Sequence, residues 1–221
     1  MRADTSETMA ISLDQVTRCL ASRIPLYRWR RPTYQAALLR SLGHVWDPKH
    51  KRVLDVGGGT GIIAQTIKDL FPVDRVVSVD IAQRYLEGLD IEIGTYNGRT
   101  LAFGDGEFDC VMLCNVLHHV PKELRVPLLK ECGRVAGTLY IKDHLAESPL
   151  DHLRLMILDV MGNVPFGGMT KASYVARAEW LMLAEQAEFR VTHWQNEIYR
   201  QGAESWIFPN RLEVLMTWAR G

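Results

Sequence analysis

No apolar run in this chain is long enough to cross a bilayer, and the opening residues, MRADTSETMAISLDQ, hold no apolar stretch of the signal-peptide kind. An excess of one charge is missing too. Lysine plus arginine and aspartate plus glutamate each come to 26, so no global field holds a phosphate backbone, which argues against nucleic acid as a partner. Cysteine is scarce: Cys19, Cys110, Cys114 and Cys132 form no Cys-x-x-Cys pair. Two of them lie in an apolar run with the character of a buried strand, so the thiols read as small core hydrophobes in a reducing compartment. Repeats and low-complexity tracts are absent. The expectation is a soluble cytoplasmic protein with no membrane partner, and 221 residues at 47% hydrophobic content suit one domain with a sizeable core.

Periodicity supplies the order of elements. After a polar tail, LDQVTRCLASRI and YQAALLRSLGHVW carry apolar residues at helical spacing, so two helices precede the first strand, Lys51–Val56. Helix and strand then alternate: TGIIAQTIKDL as helix, Arg75–Val79 as strand, a weak strand at Asp90–Gly94, a strong one at Asp109–Cys114, a helix at Lys122–Cys132 and a strand at Thr138–Lys142. This alternation predicts an α/β fold, a Rossmann-like doubly wound and mostly parallel sheet with its ligands beyond the carboxyl ends of the strands. Beyond Asp143 the pattern changes. Ser148, Pro149 and Asp151 form a helix start, the loop Gly162–Thr170 and a helix over Ala172–Glu188 follow, and Phe189–Tyr199 and Leu212–Trp218 read as strands joined by a turn near Pro209-Asn210. These last two are expected to close the sheet as an antiparallel pair.

The most informative stretch is VLDVGGGTG, Val53–Gly61. Glycines at a strand-to-helix turn admit positive φ and let a ligand approach the backbone. A phosphate-binding P-loop is excluded, because no lysine followed by serine or threonine comes after the last glycine. Gly59-Thr-Gly61-Ile-Ile-Ala64 fits a dinucleotide fingerprint, with Asp80 about 20 residues on at the ribose-binding position. Against that, Gly57-x-Gly59-x-Gly61 begins directly at the strand end. Asp55 also sets a carboxylate before the turn, where a pyrophosphate is repelled and a cation is welcome. S-adenosylmethionine carries a sulfonium and an ammonium and no phosphate, so the sign of the pocket suits it.

VLDVGGGTG followed by VVSVD resembles the first two motifs of class I S-adenosylmethionine-dependent methyltransferases, and the small-molecule enzymes of the methyltransferase type 11 kind in particular. The resemblance continues through TYNGRTLAFGDGEFDCVMLCNVLHHV and LLKECGRVAGTLYIKD, covering about Lys51–Asp143. It implies a seven-stranded sheet and S-adenosyl-L-methionine as cofactor. It also implies that Gly57, Gly59 and Gly61 wrap the methionine part with Asp55 near its ammonium group, and that Asp80 accepts from the ribose hydroxyls. Ile81 then packs on the adenine face, Asn97 and Gly98 meet the adenine edge, and Asn115 offers backbone contact near the methionine end. The family more often has aspartate where Asn97 stands; the asparagine carbonyl can still accept from the adenine amino group.

Candidate catalytic groups are His118 and His119 after the fourth strand, and Asp143 and His144 after the fifth. One histidine of the pair is expected to be a packed structural group and the other, by preference His118, to face the transferring methyl. No metal is expected, since neighbouring histidines point apart and no local His or Cys partner has ligand spacing. Arg23, Arg28, Arg30 and Arg31, interleaved with Tyr27, Trp29 and Tyr34, read either as a lid or as a solvated helix face.

The chain is therefore read as one domain over 1–221. It comprises an N-terminal helical lid at about 12–46, a cofactor-binding core at 51–143, a substrate-side helical insertion at 144–188 and C-terminal strands at 189–221. The function expected is methyl transfer to an oxygen, nitrogen or carbon nucleophile of a small-molecule metabolite. An NAD(P)-dependent oxidoreductase and a non-catalytic S-adenosylmethionine-binding protein are the alternatives, and the oligomeric state is left open.

Overall fold

The structure is a computed structural model that describes residues 11–24, 27, 32–163 and 171–221, with only the backbone of 162 and 163. Helix α1 (Leu13–Arg23) opens with a capping box: the Ser12 hydroxyl accepts from the Gln15 amide, and the Gln15 side chain accepts from the Ser12 amide. Its Val16 and Leu20, four residues apart, are buried together with Ala36, Leu39 and Leu42 of α2 (Thr33–Val45).

Seven strands follow in one sheet: β1 (Arg52–Val56), β2 (Arg75–Asp80), β3 (Glu92–Thr95), β4 (Cys110–Cys114), β5 (Thr138–His144), β6 (Phe189–Asn196) and β7 (Glu213–Arg220). Their order is β3-β2-β1-β4-β5-β7-β6, parallel except that β7 runs antiparallel to both β5 and β6. The period-2 alternation of strand side chains divides the core. Val53, Cys110 and Met112 pack towards α1, α2 and α3 (Ile62–Leu70), whereas Leu54, Val111 and Leu113 pack towards α4 (Lys122–Val135) and α6 (Arg177–Gln186). Both faces of the sheet are thus covered, as a parallel sheet requires.

The order of strands reverses between β1 and β4, and ligands of open α/β sheets bind outside the carboxyl ends at such a switch point. The turn after β1 and the end of β4 both stand there. Two sequence expectations need correction. The link between β6 and β7 is not a simple turn: it contains a short helix, α7 (Gly202–Ile207), and a 3-10 turn at Asn210–Leu212. The helix expected from Ala172 begins only at Arg177, because the preceding segment is extended and bonded to the rim of the sheet. Ser173 donates its amide to the His118 carbonyl, and Val175 bridges Leu145. The remaining helix, α5 (Pro149–Asn163), has its expected start, with the Ser148 hydroxyl accepting from the Asp151 amide. Residues 28–31 and the loop 164–170, and with them most of the arginine-aromatic run, lie outside the described residues.

Candidate cofactor site and an adjoining polar cluster

Hydrophobic burial of β1 on both faces drives the chain straight to the switch point, where Gly57, Gly59 and Gly61 all take positive φ (79°, 57° and 75°). Side chains here would collide with the floor of the turn. A Cβ on Gly57 would stand 2.5 Å from Val116, and one on Gly58 would stand 1.9 Å from Ser78 Oγ and 2.4 Å from Asp55 Oδ2. At Gly59 the same construction meets nothing within 4 Å. The turn is therefore packed beneath and open above.

Asp80 ends β2 beside it. Its Oδ2 accepts from the Gly59 amide at 2.8 Å, and its Oδ1 accepts from the Ala82 amide at 3.0 Å and lies 3.4 Å from Arg84 Nη2. Next to this carboxylate, Ile81 exposes 53% of its surface, and Gly98 approaches so closely that a Cβ there would touch Ile81 Cγ2 at 3.6 Å. An apolar face, an acid at a strand end and an open glycine turn are thus contiguous. That set fits a nucleoside with a cationic tail better than a pyrophosphate, which would meet the acid first.

Asp55 occupies the floor of the turn. It is buried, accepts from the Ser78 hydroxyl at 2.8 Å, and burial, reinforced by the negative charge of Asp80, pushes its carboxyl up to about 7. Asn97 departs from expectation. Its carbonyl oxygen accepts from the Arg99 and Thr100 amides, and its side-chain amide donates to Thr100 Oγ1, so both lone pairs are taken by its own turn. An adenine amino group therefore finds no acceptor in that side chain.

Beyond the turn, Asn115 adopts φ of 58° and donates its amide to the Lys142 carbonyl. Its side chain enters a buried polar cluster. Asn115 Nδ2 donates to the Tyr34 hydroxyl at 2.6 Å and its Oδ1 accepts from Lys142 Nζ at 3.0 Å, while Lys142 Nζ stands 4.3 Å over the Tyr34 ring. Lys142 also pairs with Glu213, which accepts from Arg200 Nη2 at 2.6 Å. Lys142 first, then His144 and Arg200, hold the Glu213 carboxyl, despite burial, well below the usual carboxylate range. Antiparallel pairing of β5 and β7 sets His144 directly opposite Glu213.

The four candidate catalytic groups divide sharply by exposure. His118, Asp143 and His144 are buried; His119 is only half-buried. Asp143 accepts from the Leu117 and His144 amides and lies 2.5 Å from His118 Nδ1. Burial alone would raise its carboxyl, but the imidazoles of His118 and His144 outweigh it and hold the group at about 2. As a proton acceptor facing a substrate, Asp143 is disfavoured, since both its oxygens are already engaged inside the protein. Burial would depress His118, and Asp143 with Asp159 overrides it, to about 9. Burial lowers His119, and its Nδ1 lies 2.9 Å from the Lys171 carbonyl. Sequence reasoning missed Lys142, Asp159, Tyr174, Arg200 and Glu213. The signal for one of them was present: Lys142 is a charge inside the otherwise apolar strand TLYIK.

A family model described as a methyltransferase domain matches residues 53–137. Strychnine O-methyltransferase of Strychnos nux-vomica is 30% identical over 152 residues, which cover 61% of this chain and 39% of that protein. The matched region is thus well under half the length of this relative. Among solved structures, an S-adenosylmethionine-dependent methyltransferase from Archaeoglobus fulgidus superposes with a TM-score of 0.62 at 15% identity, covering 87% of this chain and 96% of that one. One from Methanosarcina mazei gives 0.58 at 19% identity, covering 80% and 95%. At such identities the superpositions speak for the fold.

Proposed function

We propose that this chain, which is of the class I S-adenosylmethionine-dependent methyltransferase type, transfers the methyl group of S-adenosyl-L-methionine to a small-molecule metabolite. The observation that carries the reading is the glycine turn, open above Gly59 and pinned to the Asp80 carboxylate, with the exposed Ile81 beside it. When bound, the cofactor supplies an electrophilic methyl on a sulfonium, a good leaving group. The protein's task is then to hold donor and acceptor in line and to exclude water.

In this reading Gly57, Gly59 and Gly61 hold the methionine part and Asp80 the ribose hydroxyls, exchanging its bond from Gly59 or sharing it. Ile81 and Gly98 flank the adenine, and the Asn115 backbone borders the methionine end. Asp55, buried beneath the turn, acts by shaping it and by the field of whatever charge it carries. Residues 51–143 serve the cofactor, and the elements before and after them enclose the acceptor. His119, the half-buried one of the four candidate groups, is the residue set to take a proton from a hydroxyl acceptor, with His118, Asp143 and His144 packed behind it.

An oxygen nucleophile is the first choice among oxygen, nitrogen and carbon, because the relative in Strychnos nux-vomica is by name an O-methyltransferase. The balanced charge supports a metabolite over nucleic acid, and no described helix is long and apolar enough to cross a membrane, in keeping with a cytoplasmic site of action. Calorimetry with S-adenosylmethionine and S-adenosylhomocysteine, run beside NADH, tests the cofactor. Methyl-labelled cofactor incubated with a metabolite extract, followed by mass spectrometry, identifies the acceptor. Binding of NADH alone would restore the oxidoreductase alternative, and cofactor binding without any labelled product would point to a non-catalytic binding protein.

A further inference from the structure

Three side chains from three separate elements converge behind His119: His118 after β4, His144 at the end of β5 and Asp159 on α5. His118 Nε2 lies 3.5 Å from Asp159 Oδ2, and His144 Nε2 lies 3.4 Å from Asp159 Oδ1. One ligand atom from each of the three falls within 4.8 Å of the others, and all three residues are buried. A tetrahedral ion with ligands at ~2.1 Å separates them by ~3.4 Å, and each imidazole stands about that far from an oxygen of Asp159.

Each of these residues is also held from behind. His118 Nδ1 meets Asp143 and Asp159 Oδ2 accepts from the Tyr174 hydroxyl at 2.6 Å, while His144 Nδ1 lies 3.0 Å from Glu213 Oε2 without a well-formed hydrogen bond. Carboxylate behind imidazole is the arrangement that turns the second ring nitrogen towards a metal and fixes its tautomer. His118 Nε2 is a buried nitrogen with no well-formed hydrogen bond among the described residues, and it stands 3.5 Å from Asp159 Oδ2.

We propose that His118, His144 and Asp159 bind a divalent first-row transition ion, Zn²⁺ in first place, which clamps α5 to the carboxyl ends of β4 and β5. Two imidazoles and one carboxylate form a borderline donor set that suits zinc and its neighbours and discriminates against Mg²⁺ and Ca²⁺. Local spacing gave no hint of it, because the ligands are separated by 15 residues or more and meet only in the fold.

The test uses the full chain stripped with chelator, with no cofactor or acceptor present, so its failure and failure of the methyltransferase reading are distinguishable. Co²⁺ titration read by visible absorption, with Zn²⁺ displacement and thermal melting alongside, is expected to show one equivalent bound and a raised Tm. Asp159→Asn and His144→Ala should each weaken binding by well over tenfold. Tyr174→Phe removes one hydroxyl behind Asp159 and should weaken it about tenfold; it decides the matter if the other variants do not fold. His193→Ala, on β6, should bind as the parent does. No Co²⁺ spectrum and no Zn²⁺ shift in the parent, unchanged affinity in Tyr174→Phe, or an equal loss in His193→Ala would each overturn the proposal.

Discussion

The Gly59 amide donates a 2.8 Å hydrogen bond to Asp80 Oδ2 across a separation of 21 residues. It ties the turn after β1 to the end of β2, so the two parts of the candidate cofactor site share one rigid frame. Asp80→Ala should therefore weaken S-adenosylmethionine binding tenfold or more, about 1.4 kcal/mol at least. Unchanged affinity by calorimetry would remove Asp80 from the site.

Neighbouring glycines should fail in different ways. Gly58→Ala drives a Cβ into Ser78 and Asp55 below the turn, and should cost about 1–3 kcal/mol of stability as overpacking. Gly59→Ala meets open space but carries φ of +57°, so its fold penalty is about 1–2 kcal/mol while its methyl group intrudes where a ligand would lie. Melting curves paired with calorimetry separate the two. In Gly59→Ala the lost affinity should exceed what the lost stability explains.

Asp55 makes stability depend on pH. Its folded-state pKa of about 7 stands above the ordinary 3.8, so the folded protein holds this proton more tightly than the unfolded chain does. The resulting stabilisation is fully present below about pH 4 and is lost as pH rises towards about 7. Asp55→Asn has no such proton to lose. Measured by Tm between about pH 5 and about pH 8, the parent should decline relative to this variant, and parallel profiles would contradict the assignment.

Glu213 is the hub that neutralises Lys142 and Arg200 in the interior. Glu213→Ala leaves two buried cations without their carboxylate and should destabilise the fold by about 3–5 kcal/mol. Chemical denaturation reads this directly. A loss below about 1 kcal/mol would mean that water reaches the cluster.

Much of the architecture was written in local pattern. The strands were legible because residues buried on both faces leave continuous apolar runs such as VVSV and CVMLC, and the glycine turn was legible because positive φ selects glycine over every other residue. The roles expected of Asp80 and Ile81 came from the resemblance to class I methyltransferases, with Asp80 also marked by its place about 20 residues beyond the glycines. The extended segment at 171–176 was not legible, because its Ser173 amide and Val175 carbonyl bond to the rim of the sheet instead of closing a helical turn, and nothing in its own residues records that choice.

By itself, then, the sequence determined the order of the strands and of every helix but α7, and the chemistry of the turn after β1, since these depend on residues close together in the chain. Only tertiary structure decided what the acids and histidines do. Asn97 satisfied its own turn, His118 and Asp143 faced inward while His119 stayed near the surface, and Asp159 and Glu213 arrived from distant elements to complete a cluster around His144. A side chain's partner in a buried site is set by strand register and helix packing over the whole sheet, and that geometry does not exist until the chain has closed on itself.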